Sequence, residues 1–332
     1  MKIIRYILFP VVPIYYLVTW LRNILYDRGI KSSNSYDSPV ICVGNLSTGG
    51  TGKTPMIEYL VRVLSGEYGV ATLSRGYKRS TKGFILASDK DNAKTIGDEP
   101  LQFYKKFKTV RVAVDANRQE GISKLLSLDP KPEVILLDDA FQHRKVNASL
   151  NIILTSYHNL FYKDFVLPTG NLREPRSGYK RADIIVVTKG PVYLDDDTKK
   201  RISNRIKPLE GQSVFFSHIS YAENVHSENS KLPLATLPFF TLVTGIANDK
   251  PLVNHLKSLG LDFEHLSFGD HHNFKAKDIQ ELTAKSLVVT TEKDFVRLAS
   301  HTELSNILFY LPIELVIENA EAFNALIEEA VN

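Results

Sequence analysis

One cysteine, Cys42, is all the thiol chemistry that 332 residues contain. That excludes an intramolecular disulfide and a cysteine-based zinc cluster, and it fits a reducing cytosol. The formal charge is only +4, and Lys and Arg are spread along the chain. There is no basic stripe to neutralise a nucleic-acid backbone, so no nucleic-acid partner is expected. No apolar run reaches the roughly 20 uninterrupted residues that a spanning helix needs. Internal repeats at a fixed period and low-complexity tracts are missing too. Where a GTPase would carry Asn-Lys-x-Asp the chain has Thr188-Lys189-Gly190-Pro191, which leaves guanine specificity unsupported.

What is present is a phosphate loop. Residues 40–43 form a short β-branched apolar run, residues 56–64 repeat their apolar side chains at helical spacing, and Ser47-Thr48-Gly49-Gly50-Thr51-Gly52-Lys53-Thr54 lies between. Strand, glycine-rich turn and helix in that order make a nest of backbone N–H groups at a helix N-terminus, where an anion is bound. In such a loop Lys53 reaches the β- and γ-phosphates and the Thr54 hydroxyl sits on Mg²⁺. Ser47 replaces the first glycine of the usual pattern, but the Gly-Lys-Thr end is intact.

The first residues read differently. Residues 6–21 are uncharged and apolar, interrupted by Pro10 and Pro13, and flanked by Lys2, Arg5, Arg22 and Arg28. No small-residue cleavage site follows, which argues against a secretory signal. A helix lying in one leaflet is the favoured reading, with Tyr15, Tyr16 and Trp20 at the interface and the cations facing headgroups. A core helix packed on the body is the alternative. Residues 29–39 are a polar, serine-rich linker.

Beyond the loop, apolar runs ending in charge mark the strands of a parallel sheet, whose ligands collect at the carboxyl ends. Arg75 follows one strand and Arg118 another, placed to meet phosphate; Arg118 suits an internal arginine finger. Asp98 and Glu99 precede a helix expected over residues 101–107, either as N-cap and first-turn acids or with one of them taking a proton from a substrate hydroxyl. Residues 134–137 run apolar into Asp138-Asp139, a Walker-B-type pair for Mg²⁺, with His143 nearby. Residues 167–176 are a proline- and glycine-rich loop carrying Arg173 and Arg176, suited to presenting charge to a substrate. A second α/β unit is expected from about residue 239. In it the Asp270-His271-His272 loop suggests acid–base work, with Asp270 orienting His271. Residues 287–294 read as a strand with a charged end.

Gly44-Asn45-Leu46-Ser47 running into Gly52-Lys53-Thr54-Pro55, Ser74-Arg75-Gly76-Tyr77, Gly97-Asp98-Glu99-Pro100, Asp138-Asp139-Ala140-Phe141-Gln142-His143-Arg144, Leu172-Arg173-Glu174-Pro175, Asp270-His271-His272 and Thr291-Glu292-Lys293-Asp294 together resemble the tetraacyldisaccharide 4′-kinases, the lipid A 4′-kinases of Gram-negative bacteria. The resemblance implies transfer of the γ-phosphate of ATP, with Mg²⁺, to the 4′-hydroxyl of a tetraacyldisaccharide 1-phosphate, giving lipid IVA at the cytoplasmic face of the inner membrane, by a peripheral or monotopic enzyme with no obligatory protein partner. It implies an α/β fold: a phosphate-loop NTPase-like parallel-sheet domain, residues 31–208, behind an N-terminal membrane-interface helix, residues 1–30. A smaller α/β domain with linker strands follows, residues 209–332, and ATP lies at the interface. By the same resemblance Ser47 to Thr54 bind nucleotide, and Thr54, Asp138 and Asp139 serve the metal. Asp98 becomes the base, assisted by His271, while Lys53, Arg118 and Arg173 meet phosphate charge or grip the substrate. The role of Asn171 is left open. Two rival classes, a membrane-associated regulatory NTPase and a nucleotide-binding scaffold, would keep the loop without the acceptor chemistry.

Overall fold

A computed structural model describes residues 7–332. In chain order its strands are β1 (Val40–Asn45), β2 (Val70–Ser74), β3 (Ile85–Leu86), β4 (Arg111–Val114), β5 (Val134–Asp138), β6 (Leu150–Ser156), β7 (Ile184–Thr188), β8 (Ser213–Tyr221), β9 (Asn224–His226), β10 (Lys231–Pro233), β11 (Phe240–Thr244), β12 (Phe263–Ser267), β13 (Val288–Thr291), β14 (Leu308–Leu311) and β15 (Ile313–Ile317). Nine of them form one sheet in the order β15-β8-β7-β6-β1-β5-β2-β4-β3, and six form another in the order β10-β9-β14-β13-β11-β12. The first sheet is parallel from β4 through β8, with β1 between β5 and β6. A strand covered on both faces has to be apolar on both, and β1 is buried along its whole length. Ile41 and Val43 enter one core with Met56 and Leu60 of the helix Lys53–Leu64, while Val40 and Cys42 enter the core on the opposite face, as a two-residue repeat requires.

The two sheets are linked by more than the chain between them. Strand β8 pairs parallel with β7 and antiparallel with β15, so the last strand returns to the first sheet. The helix Ala320–Val331 follows it and buries Phe323, Ile327 and Val331, one stripe at four-residue spacing, in the same core as the phosphate-loop helix. Among the described residues the short strands β3, β9 and β10, and also β12 and β15, have no counterpart in the sequence reading. The apolar run into residues 292–294 is not one strand. It stops at Thr291, whose hydroxyl accepts from the Asp294 amide at 3.2 Å and caps the helix Glu292–Leu298.

At the N-terminus the prolines start a helix rather than break one. Pro10 lies in the 3₁₀ turn Phe9–Val11, and Pro13 sits in the first turn of the helix Val12–Asp27, where a missing N–H costs nothing. The polar side of this helix faces the protein. Tyr15 donates to the Arg173 carbonyl at 2.8 Å, Asn23 to Glu174 at 2.7 Å, and Asp27 pairs with Arg144 at 2.7 Å. Its apolar side faces out: Ile14, Leu17, Val18 and Leu21 are 65%, 57%, 61% and 49% exposed. No helix of the described residues is long and apolar enough to cross a membrane; Lys2 and Arg5 lie outside the described residues.

Candidate active site

The turn between β1 and its helix adopts the conformation that its glycines permit. Gly49 and Gly52 have φ of 108° and 93°, a region that a side chain disfavours, and Gly52 is the residue from which the helix Lys53–Leu64 starts. The loop is fixed from three sides. Asn45 donates to the Thr51 hydroxyl at 2.8 Å, Thr188 donates to the Thr51 carbonyl at 2.7 Å, and Lys189 donates to the Gly50 carbonyl at 2.7 Å. The fourth contact answers the question of Asn171: its carbonyl accepts from the Thr48 amide at 2.7 Å, and Ser47 bridges to Leu172. Asn171 thus supports the loop through its backbone, while its side-chain amide donates to Asp164 at 2.8 Å. Burial, and then the charge of Lys53, pushes the Lys189 ammonium below its ordinary range. The loop therefore faces two cations before any phosphate arrives.

Strand β5 ends in the acidic pair. Asp138 is buried at its end, and Asp139 turns out of the strand with φ of 50°. The Ser74 hydroxyl donates to Oδ2 of Asp138 at 3.2 Å, but Oδ1 is buried with no partner. Burial, then the like charges of Glu99 and Asp139, raise Asp138 to about 7 against the opposing pull of Lys53 and Arg118. Burial would raise Asp139 as well. There Lys53 at 3.7 Å and Arg173 at 2.8 Å outweigh it and hold the carboxyl below the usual range. An orphaned carboxylate oxygen next to a second acid is a hard-oxygen donor set. It suits Mg²⁺, which takes one or two carboxylates and relies on substrate phosphates for more. Among the described residues no group of three or more His, Cys, Asp or Glu side chains forms a metal cage.

Arg118 stands underneath this pair. It is 2% exposed and donates to the Asp115 carbonyl and, at 3.0 Å, to the Asp138 carbonyl, so its charge supports the end of β5 from inside the protein.

Asp98 is the first residue of a helix, Asp98–Lys106, that begins three residues earlier than the expected residue 101, and the N-cap position is taken by Gly97. Its carboxylate is engaged by the other sheet instead. Oδ2 lies 3.1 Å from Nδ1 of His271 and accepts from Nε of Arg297 at 3.0 Å. Nε2 of His271 lies 3.2 Å from Lys293. Asp270 is therefore not the partner that orients His271. The loop turns at His271, with φ of 58°, and directs the ring toward Asp98. Burial would raise Asp98; the hydrogen bond to His271 and the charges of Arg297, His271 and Lys293 more than cancel that and hold the carboxyl below its ordinary range. Glu99, next in the helix, is 3.7 Å from Lys293, and its charge is felt at Asp138. Glu99 thus links the two clusters: its neighbour Asp98 holds His271, and its own charge acts on the acidic pair beside Lys53. Lys293, Arg297, Thr188 and Lys189 were not assigned to either cluster from the sequence. Lys293 falls in the charged end of the run 287–294 that reads as a strand and Arg297 lies beyond it, while Thr188 and Lys189 close an apolar strand and lack a guanine motif.

A family model described as tetraacyldisaccharide-1-P 4′-kinase matches residues 4–332. The chain belongs to the tetraacyldisaccharide 4′-kinase family. A tetraacyldisaccharide 4′-kinase of Flavobacterium johnsoniae is 50% identical over 324 residues, covering 96% of this chain and 94% of that protein. One of Bacteroides thetaiotaomicron is 44% identical over 335 residues, covering 93% and 88%. The fold agrees over the same span. A crystal structure of LpxK from Aquifex aeolicus in complex with ATP superposes with a TM-score of 0.79 at 31% identity, covering 99% of this chain and 100% of that one. Members of this family are named kinases, and this chain shares its α/β fold with that ATP-bound structure.

Proposed function

We infer that the chain transfers the γ-phosphate of ATP to the 4′-hydroxyl of a tetraacyldisaccharide 1-phosphate, giving lipid IVA for lipid A. The observation that carries this is that Asp98 meets His271 from the second half of the chain while the next residue, Glu99, acts by its charge on Asp138, the strand-end acid that Lys53 also acts on. Phosphoryl transfer asks the protein mainly for positioning and charge. The N–H groups of residues 47–54 bind the phosphates. Lys53 and Arg173, both resting on Asp139, are the cations that turn toward phosphate oxygens when the nucleotide binds. Thr54, Asp138 and Asp139 would hold Mg²⁺, which neutralises charge on the β- and γ-phosphates. The acceptor oxygen attacks Pγ as its proton passes to Asp98, and the Pγ–O bond to ADP breaks. A carboxylate kept ionised by His271 and Arg297 is ready to take that proton. Arg118 supports Asp138 from behind.

The acceptor is a lipid, and the outward stripe of Ile14, Leu17, Val18 and Leu21 gives this chain a surface for a bilayer. We place the enzyme peripherally at the cytoplasmic face of the inner membrane. Residues 1–30 then form the membrane-facing part, 31–208 the nucleotide domain and 209–332 the second domain, with β8 and β15 as linker strands. The test is labelled γ-phosphate with purified tetraacyldisaccharide 1-phosphate in detergent. Label in the lipid supports the reading; ATP hydrolysis with no labelled lipid contradicts it.

A further inference from the structure

The helix that begins with Asp98 ends with Lys106, and that far end is held by charges the transfer chemistry does not use. Lys106 donates to Glu58 at 2.7 Å and to Glu292 at 2.7 Å. One turn earlier, Gln102 donates to the other oxygen of Glu58 at 2.8 Å. Glu58 is 1% exposed and Glu292 is 9% exposed. Glu58 belongs to the phosphate-loop helix, Lys53–Leu64, and Glu292 opens the helix Glu292–Leu298, which also carries Lys293 and Arg297. The helices Asp98–Lys106 and Glu292–Leu298 therefore meet twice, and the phosphate-loop helix joins them at the second contact. At one end Arg297 and Lys293 engage Asp98, Glu99 and His271; at the other, Lys106 engages Glu292 and Glu58.

Two buried carboxylates share this one ammonium, with Arg62 3.7 Å from Glu58 at the edge. Such a network is a poor way to gain stability, because desolvating the charges offsets much of their attraction; its best-attested use is to fix register between packed elements. The register at stake here is catalytic. Asp98 and Lys106 are about 12 Å apart along a rigid helix at 1.5 Å per residue. An anchor at one end thus sets the tilt of the other, and a misplacement of about 1 Å at reacting groups costs on the order of 100-fold in rate.

We propose that Lys106 is a positioning residue of the transfer reaction: by tying the Asp98 helix to the phosphate-loop helix through Glu58 and to the second sheet through Glu292, it sets where Asp98 stands relative to the terminal phosphate of the nucleotide. The proposal rests on the reading of Asp98 as proton acceptor.

The test uses the full chain with Mg²⁺, ATP and the lipid acceptor in detergent, and compares wild type, Lys106→Met, Lys106→Arg and the triple variant Lys106→Met/Glu58→Gln/Glu292→Gln. The triple variant leaves no stranded charge and keeps the fold testable if Lys106→Met does not fold. Each is measured for kcat, KM for ATP and thermal midpoint. Lys106→Met is expected to lose at least about 10-fold in kcat with KM for ATP within about 3-fold, and Lys106→Arg to recover most of it. The triple variant is expected to regain the thermal midpoint and not kcat. Recovery of both, or a folded Lys106→Met enzyme with wild-type kcat, would overturn the proposal alone. A wild-type enzyme that binds ATP and never labels the lipid would instead overturn the kinase reading, and the proposal with it.

Discussion

Nδ1 of His271 lies 3.1 Å from Oδ2 of Asp98, a residue 173 positions earlier in the chain and at the start of a helix packed with the first sheet. Neither side chain can serve this contact unless the two sheets are docked. Replacing His271 with Ala should leave ATP binding within about 3-fold and cut kcat by about 10- to 100-fold, since Asp98 keeps Arg297 but loses its second partner. Isothermal titration with a non-hydrolysable ATP analogue, beside steady-state kinetics, separates the two effects.

Arg118 gives a sharper division between roles. As a group that supports the end of β5, it should be needed for folding: Arg118→Met leaves the Asp115 and Asp138 carbonyls without their donor and should cost about 2–4 kcal/mol in urea unfolding. As an arginine finger it would instead leave stability unchanged and lower kcat alone. The same variant, measured both ways, distinguishes them.

That contrast also shows which parts of the site were legible in the sequence. The phosphate loop, the acidic pair and the strands around them are local patterns, and a fully buried parallel strand such as β1 announces itself by being apolar throughout. Residues whose task is set by a distant neighbour carry no local mark. Asp98 sits in a first helical turn, where an acid needs no other reason; the family resemblance pairs it with His271, and the docked second sheet adds Arg297 as the other partner of its carboxylate. Asp270 lay next to His271 in sequence and drew the assignment by adjacency. The backbone turn at His271 sends its ring elsewhere.

His143 yields a pH prediction. Burial first, then the charges of Arg118, Arg75 and Arg22, opposed by Asp139, push its imidazole down to about 4. In the unfolded chain it titrates near 6.5. Between those values the unfolded chain binds a proton that the folded one refuses, so stability is lost as pH falls from about 6.5 to about 4. His143→Gln should flatten the dependence of unfolding free energy on pH in that window. An unchanged slope would mean that other groups carry it.

The outward stripe of the N-terminal helix predicts a variant that alters membrane binding without altering the fold. Leu17 and Val18 are 57% and 61% exposed, so the double change Leu17→Glu/Val18→Glu should leave the thermal midpoint within about 2 °C. Partitioning onto anionic phospholipid vesicles should fall by at least about 10-fold, because each side chain withdrawn from an apolar interface costs on the order of 1.5–3 kcal/mol. Sedimentation with vesicles checks it.

The account stands on Asp98 as the proton acceptor, and single-turnover transfer of labelled γ-phosphate to the lipid by Asp98→Asn tests that directly. The asparagine keeps the size of the side chain and cannot take the proton. The rate should drop by about 10²- to 10⁴-fold while ATP affinity stays within about 3-fold of wild type. Transfer at close to the wild-type rate would contradict the account and would require the proton to leave by another route.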